Sequence, residues 1–116
     1  MKSTWLNDWQ AYSSFQLESV FGLSKGSLDQ IEILLASYTE SDDAGYAFVL
    51  YRDQQRLYEV NASHDSQLDF YGQWLPEETS VDALLFRLNK GNLGSIKASD
   101  NVFADELREV LKAFLQ

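Results

Sequence analysis

The chain has 116 residues, of which 45% are hydrophobic and 14% aromatic, with one proline and no cysteine. That is the length of one ordinary domain with enough apolar surface for a packed core, which excludes a disordered acidic tail; the lack of cysteine excludes a disulfide framework, a zinc ribbon and a thiolate nucleophile, and fits a reducing cytoplasm. Eighteen acids against nine bases give a formal charge of −9, a field that repels phosphate backbones and anionic lipid and attracts a partner with a basic surface, so direct binding to nucleic acid or membrane is not expected.

In chain order, the opening MKSTWLNDWQ offers neither a basic n-region nor an apolar h-region, so no secretion signal is expected. Trp5, Trp9 and Tyr12 fall at i, i+4 and i+7 and predict a short amphipathic N-terminal helix. Leu17, Val20 and Phe21 predict a second helical turn or two, ended at Gly22, a residue that accepts positive φ. From Ser27 onward two patterns compete, because Ser27 and Gln30 suit a capping box while Ile31, Ile33 and Leu35 alternate as in a strand. The β-branched and aromatic runs over 46–51 and 57–60 favour a strand over 31–39, since a third strand gives their hairpin a usable hydrophobic face. The connections are the acidic segment 40–45 and a hairpin loop over 52–56. Both alternating sets of the middle strand are apolar, Ala47, Val49 and Tyr51 on one side and Phe48 and Leu50 on the other, which predicts a central position. No run approaches the about 18 apolar residues of a membrane span; the longest candidate, 31–36, is interrupted by Glu32.

Further on, Thr79 and Asp82 suit a capping box, with Val81, Leu84, Leu85 and Leu88 on one helical stripe and Gly91 as the expected terminator. Phe103, Leu107, Val110, Leu111 and Phe114 form the stripe of a C-terminal helix, opposite Asp105, Glu106, Arg108, Glu109 and Lys112. Contiguous strands without crossover helices indicate an antiparallel arrangement. The expected architecture is α+β, a three-stranded antiparallel meander packed against N-terminal and C-terminal helices in one domain over 1–116.

Chemical motifs are sparse. The single histidine, His64, lies in a polar stretch over 61–66 that reads as a loop. Ser63, Asp65 and Ser66 are its sequence neighbours, whereas a catalytic triad converges from separate parts of a fold, and no nucleophile elbow is present. A metal site would require His64 to recruit Asp65, Asp69 or Glu59 without a second histidine or any cysteine. Glu40, Asp42 and Asp43 lack the spacing of a calcium loop and read as solvated turn carboxylates. Glu77 and Glu78 precede the predicted helix, where negative charge is worth about 0.3–1 kcal/mol without any catalytic duty. The segment 91–94 has neither a P-loop lysine pattern nor the third glycine of a dinucleotide site. On these grounds no catalytic residue, metal or cofactor is assigned. Trp74, in Phe70-Tyr71-Gly72-Gln73-Trp74, either closes over the sheet as core or anchors an interface.

The order Tyr46-Ala47-Phe48-Val49-Leu50-Tyr51-Arg52, Leu57-Tyr58-Glu59-Val60-Asn61, His64, Gly72-Gln73-Trp74 and Pro76-Glu77-Glu78-Thr79 resembles a family of small, mostly uncharacterised bacteriophage and prophage proteins. Ala83-Leu84-Leu85-Phe86-Arg87-Leu88 and Phe103-Ala104-Asp105-Glu106-Leu107 extend the resemblance over roughly residues 28–111. Where that family usually reads His-Cys-Ser-Cys, this chain has His64-Asp65-Ser66-Gln67, so no thiol or metal role carries over. The resemblance implies a mobile-element setting and a compact α+β fold.

Size, acidity and this resemblance together lead to the expectation of a non-enzymatic interaction protein that binds a host protein with a basic surface, through Glu40, Asp42, Asp43, Trp74, Asp105, Glu106 and Glu109. Charge mimicry of nucleic acid against a host defence complex is the sharper form of that expectation. Two alternatives stand beside it: a small hydrolase or metal-assisted enzyme centred on His64 with Asp65, Asp69 or Glu59 in support, and a phage accessory protein that self-assembles through a sheet edge or aromatic patch.

Overall fold

The computed structural model describes residues 4–7, 18, 21–40, 44–65, 73–90 and 103–115. In chain order these form β1 (Thr4–Asn7), β2 (Glu32–Glu40), β3 (Ala44–Asp53), β4 (Arg56–Asp65), β5 (Glu77–Thr79), α1 (Val81–Asn89) and α2 (Ala104–Leu115). The class is α+β, and β2, β3 and β4 make the expected antiparallel meander. The sheet has five strands rather than three, in the order β1-β2-β3-β4-β5, with β1 parallel to β2 at one end and β5 at the other.

The N-terminal helix predicted from Trp5, Trp9 and Tyr12 is not formed at its start. Thr4–Asn7 is instead a strand in register with Leu35, Ala36, Ser37 and Tyr38 of β2. A helix this short is marginal by itself, whereas the open edge of β2 offers backbone partners to any extended neighbour, and Thr and Trp suit a strand. Trp9 and Tyr12 lie outside the described residues.

By internal packing the chain forms two compact units, Met1–Glu78 and Thr79–Gln116. In the first, the predicted helical turn ends as expected at Gly22, whose φ is +70°. The Leu23 N–H donates to the Glu18 carbonyl at 2.7 Å, the long-range bond of a Schellman cap. The Glu18 side chain is buried and its Oε2 accepts from the Leu28 N–H at 2.9 Å, which ties the following turns back to the helical residues. A buried carboxylate needs such a donor, since a lost partner costs several times the net worth of an ordinary hydrogen bond.

One sheet face buries Ile33, Ala36, Ala47, Val49, Tyr51, Val60 and Ala62, which pack with Phe21 and Leu28. On the other face Leu35, Phe48, Leu50 and Leu57 are buried, together with the polar Ser37 and Glu59; Glu59 accepts from the Asn61 side-chain amide at 2.9 Å. β3 is therefore apolar on both sides and central, as its sequence predicts. A bulge interrupts β2, because Ile33 faces Tyr51 and Leu35 faces Leu50, leaving Leu34 as the extra residue. The bulge separates Ile33 and Leu35 onto different faces, although their i, i+2 spacing predicts a shared one. The hairpin loop expected over 52–56 is shorter: β3 runs to Asp53, β4 starts at Arg56, and Gln54 turns the chain with φ +60°. Arg52 and Glu32, opposite each other across β3 and β2, form a partly exposed ion pair.

In the second unit the cap of α1 is Ser80 rather than Thr79. Ser80 is extended (φ −149°, ψ 163°) and its Oγ accepts from the Ala83 N–H at 3.1 Å. Thr79 is the last residue of β5, so the helix begins one residue later than its capping-box pattern suggests. Leu84 and Leu88 are buried and Lys90 is the C-cap of α1; Gly91, the expected terminator, follows it directly and lies outside the described residues. Phe103, Leu107, Val110 and Leu111 of the stripe read from the sequence are buried along α2, together with Ala104; the Phe114 side chain lies outside the described residues. The Arg108 guanidinium donates to the Leu88 carbonyl at 3.3 Å, placing a cation at the negative end of α1. No helix among the described residues is long and apolar enough to cross a membrane.

Candidate functional site

Side-chain contacts hold the segment entering β5 to the sheet of the first unit. Gln73 uses its side-chain amide as a piece of strand: Oε1 accepts from the Ser63 N–H at 3.0 Å and Nε2 donates to the Ser63 carbonyl at 2.7 Å. Both backbone groups of a β4 residue are thereby satisfied by one side chain, which anchors residue 73 to the sheet. Trp74 follows, half-buried against the apolar sheet face. Its ring stacks on Tyr51 (centroids 5.8 Å, planes 13° apart) and meets Phe21 edge-on at 5.0 Å and 71°. Tyr51 in turn stacks on Tyr58 at 5.3 Å. Both are favoured arrangements of aromatic quadrupoles.

This stack has an electrostatic signature. Burial pushes the Tyr51 phenol above its ordinary pKa, and the neighbouring Tyr58 and Asp53 add to the rise by opposing a second negative charge.

With Gln73 and Trp74 fixed inward, Leu75 is carried outward. Its N–H donates to the Gln73 carbonyl at 2.9 Å in a tight turn, and its side chain is 70% exposed. Pro76, Glu77 and Glu78 are exposed as well. The two carboxylates precede α1, as expected, and lie in β5, with Thr79 and Ser80 between them and the helix. Neither forms an ion pair among the described residues, in contrast to Asp105 and Glu109 of α2. Asp105 pairs with Arg108 at 3.7 Å and Glu109 with Lys112 at 3.4 Å, each over i, i+3.

The remaining candidate residues are dispersed. Glu40 ends β2 opposite Gly45, and Asp42 and Asp43 lie outside the described residues. Glu106 is partly buried, its Oε1 enclosed without a hydrogen-bond partner among the described residues, so it is not an exposed contact like its neighbours. His64 and Asp65, read as loop residues, belong to β4, which continues past the predicted strand end and pairs them with Gly45 and Ala44. Asp69 lies outside the described residues. Among the described residues no three His, Asp or Glu side chains come together as a metal site.

Sequence reasoning singled out Trp74 but passed over Leu75. The available signal was a large apolar residue immediately before the only proline, in a stretch bounded by Gly72 and two glutamates: the residue before proline is held extended, and a turn there projects its side chain. No family model, curated protein or solved structure matches this chain, so the functional reading stands on its residues and surface.

Proposed function

We propose that this protein is a small, acidic, non-enzymatic interaction protein of phage or prophage type. It binds a host protein that carries a basic surface and blocks a nucleic-acid-binding defence complex by occupying its groove. The observation that carries this reading is the segment 75–78, where an exposed leucine stands beside two exposed carboxylates that have no ion partner among the described residues, on a segment anchored by Gln73 and Trp74. Interfaces concentrate their affinity in a few anchored apolar or aromatic residues with a polar rim, and a pre-ordered loop loses little entropy on binding. The charge of −9 supports the chemistry of the partner, since it steers the chain toward positive surfaces. Asp105 and Glu109 add less to that field than their number suggests, because Arg108 and Lys112 neutralise them locally. Glu77 and Glu78 therefore take the larger role.

The test is a pull-down with the tagged full chain from host lysate at low salt, with a graded salt wash and mass spectrometry, run beside the charge-reversed double variant Glu77→Lys, Glu78→Lys. A nucleic-acid-binding protein should be retained by the wild type, be displaced by added DNA, and elute as ionic strength passes about 0.15 M, where the Debye length has shrunk to about 8 Å. Equal retention by the double variant, or recovery of no protein across the salt series, would sink the proposal and turn attention to a small-molecule site near His64.

A further inference from the structure

We infer that the outer edge of β5, together with Leu75, is a strand-addition site for an extended basic segment of a partner protein. The inference rests on the reading of the protein as an interaction protein and names how the partner is held.

β5 is the last strand in the sheet order, so among the described strands it has a neighbour on one side only. An edge of this kind presents backbone donors and acceptors that an incoming strand can pair. Glu77 and Glu78 are consecutive in the strand and both exposed, and consecutive strand residues face opposite sides. An added strand with Lys or Arg on either side of its pleat thus meets a carboxylate at cross-strand distance, about 4.5–5.5 Å between Cβ atoms. Pro76 has no N–H, so the ladder is confined to Glu77–Thr79 at its N-terminal end. A ladder that short needs an additional anchor, and Leu75, 70% exposed, stands directly before it.

The same charges decide against a second copy of this chain as the occupant. Two β5 edges paired together would bring the Glu77–Glu78 pair of one against that of the other, and like charges directly opposite each other in a ladder are destabilising. With −9 on each copy the long-range field opposes that approach too. A basic extended segment satisfies the edge and the carboxylates together.

The experiment uses the full chain, isotope-labelled, titrated at low salt with a synthetic heptapeptide of alternating Lys and Val. A second peptide of the same sequence is N-methylated at every backbone nitrogen, keeping the charge while removing all backbone donors. Expected are amide shifts centred on Leu75 and Glu77–Thr79 with the first peptide, and binding at least tenfold weaker with the second. The Leu75→Asp variant and the Glu77→Lys, Glu78→Lys variant should each weaken the first peptide at least tenfold, with unchanged amide spectra elsewhere showing that the variants fold. Equal binding of the two peptides, or shifts centred away from 75–79, overturns the inference, as does a concentration-dependent dimer whose interface maps to β5. If a host partner is captured as proposed above and Leu75→Asp still retains it, the strand-addition site falls while the interaction function stands. If neither partner nor peptide binds, both fall.

Discussion

Replacing Trp74 by alanine tests whether the 73–78 segment is held to the sheet or merely rests on it. The indole makes two defined ring contacts, with Tyr51 at 5.8 Å and Phe21 at 5.0 Å. Such pairs contribute about 0.5–1.5 kcal/mol each beyond their buried area. Truncating a fully buried aromatic costs about 3–5 kcal/mol, so a half-buried one with both contacts should cost about 2–4 kcal/mol. With a urea slope of about 1–3 kcal/mol per molar, that lowers the midpoint of the first unit by about 1–2 M. Tryptophan fluorescence is a poor probe, since the chain has three tryptophans and the substitution removes one. Urea-dependent hydrogen exchange at the Val49 and Val60 amides reports the same unit through two fully buried strand residues. Trp74→Phe, which keeps an aromatic face against Tyr51, should recover roughly half of the loss. Unchanged exchange in Trp74→Ala would refute the reasoning, because the ring would then contribute nothing to the packing and Leu75 would have no fixed support.

Three other outcomes follow from single geometric features. Gln54 holds φ +60°, a conformation that costs a residue with a Cβ about 1–2 kcal/mol; after the greater unfolded-state entropy of glycine is subtracted, Gln54→Gly should stabilise the first unit by about 0.5–1 kcal/mol, read from the same exchange measurement. Ser80→Ala removes the acceptor of the Ala83 N–H and should cost about 1 kcal/mol of helix stability, seen as faster amide exchange through α1, with Ser80→Asp restoring protection. Because burial, Tyr58 and Asp53 raise the Tyr51 pKa, the folded state favours the neutral phenol. The resulting stability is fully present below the unfolded tyrosine pKa of about 10 and is lost as pH rises through the higher folded value, so alkaline titration should destabilise the wild type more than Tyr51→Phe.

Much of this fold was legible because it depends on local rules. The run 46–51 is apolar on both alternating sets, and β3 is accordingly central and buried on both faces. Phe103, Leu107, Val110 and Leu111 recur at helical spacing and are buried along α2. Gly22, placed as a helix stop, has positive φ and the bond of a Schellman cap beside it. In each case neighbouring residues supply the determining chemistry, through side-chain period or backbone freedom.

The candidate site was legible only in part. Trp74 could be singled out, but its inward stacking depends on Tyr51 and Phe21, which are distant in sequence, and its inward turn is what carries Leu75 outward. The charges of Asp105 and Glu109 could be counted, and their exposure at 76% and 74% agrees with the reading; their pairing with Arg108 and Lys112 is a matter of rotamer and geometry.

What only the tertiary structure decided are the features set by pairing between remote segments. Thr4–Asn7 became a strand because β2 had an unpaired edge, although its own residues carried a helical period. The bulge at Leu34 separated Ile33 from Leu35, because register against β3 outranks alternation within β2. β5 placed Glu77 and Glu78 in a strand, and Gln73 supplied strand pairing from a side chain. The sequence by itself determined the α+β class, the central strand, the amphipathic α2 and the net charge of −9, since these follow from period and composition. The edges of the sheet and the outward Leu75 were decided by backbone hydrogen bonds that must be satisfied by whichever segment the fold brings near.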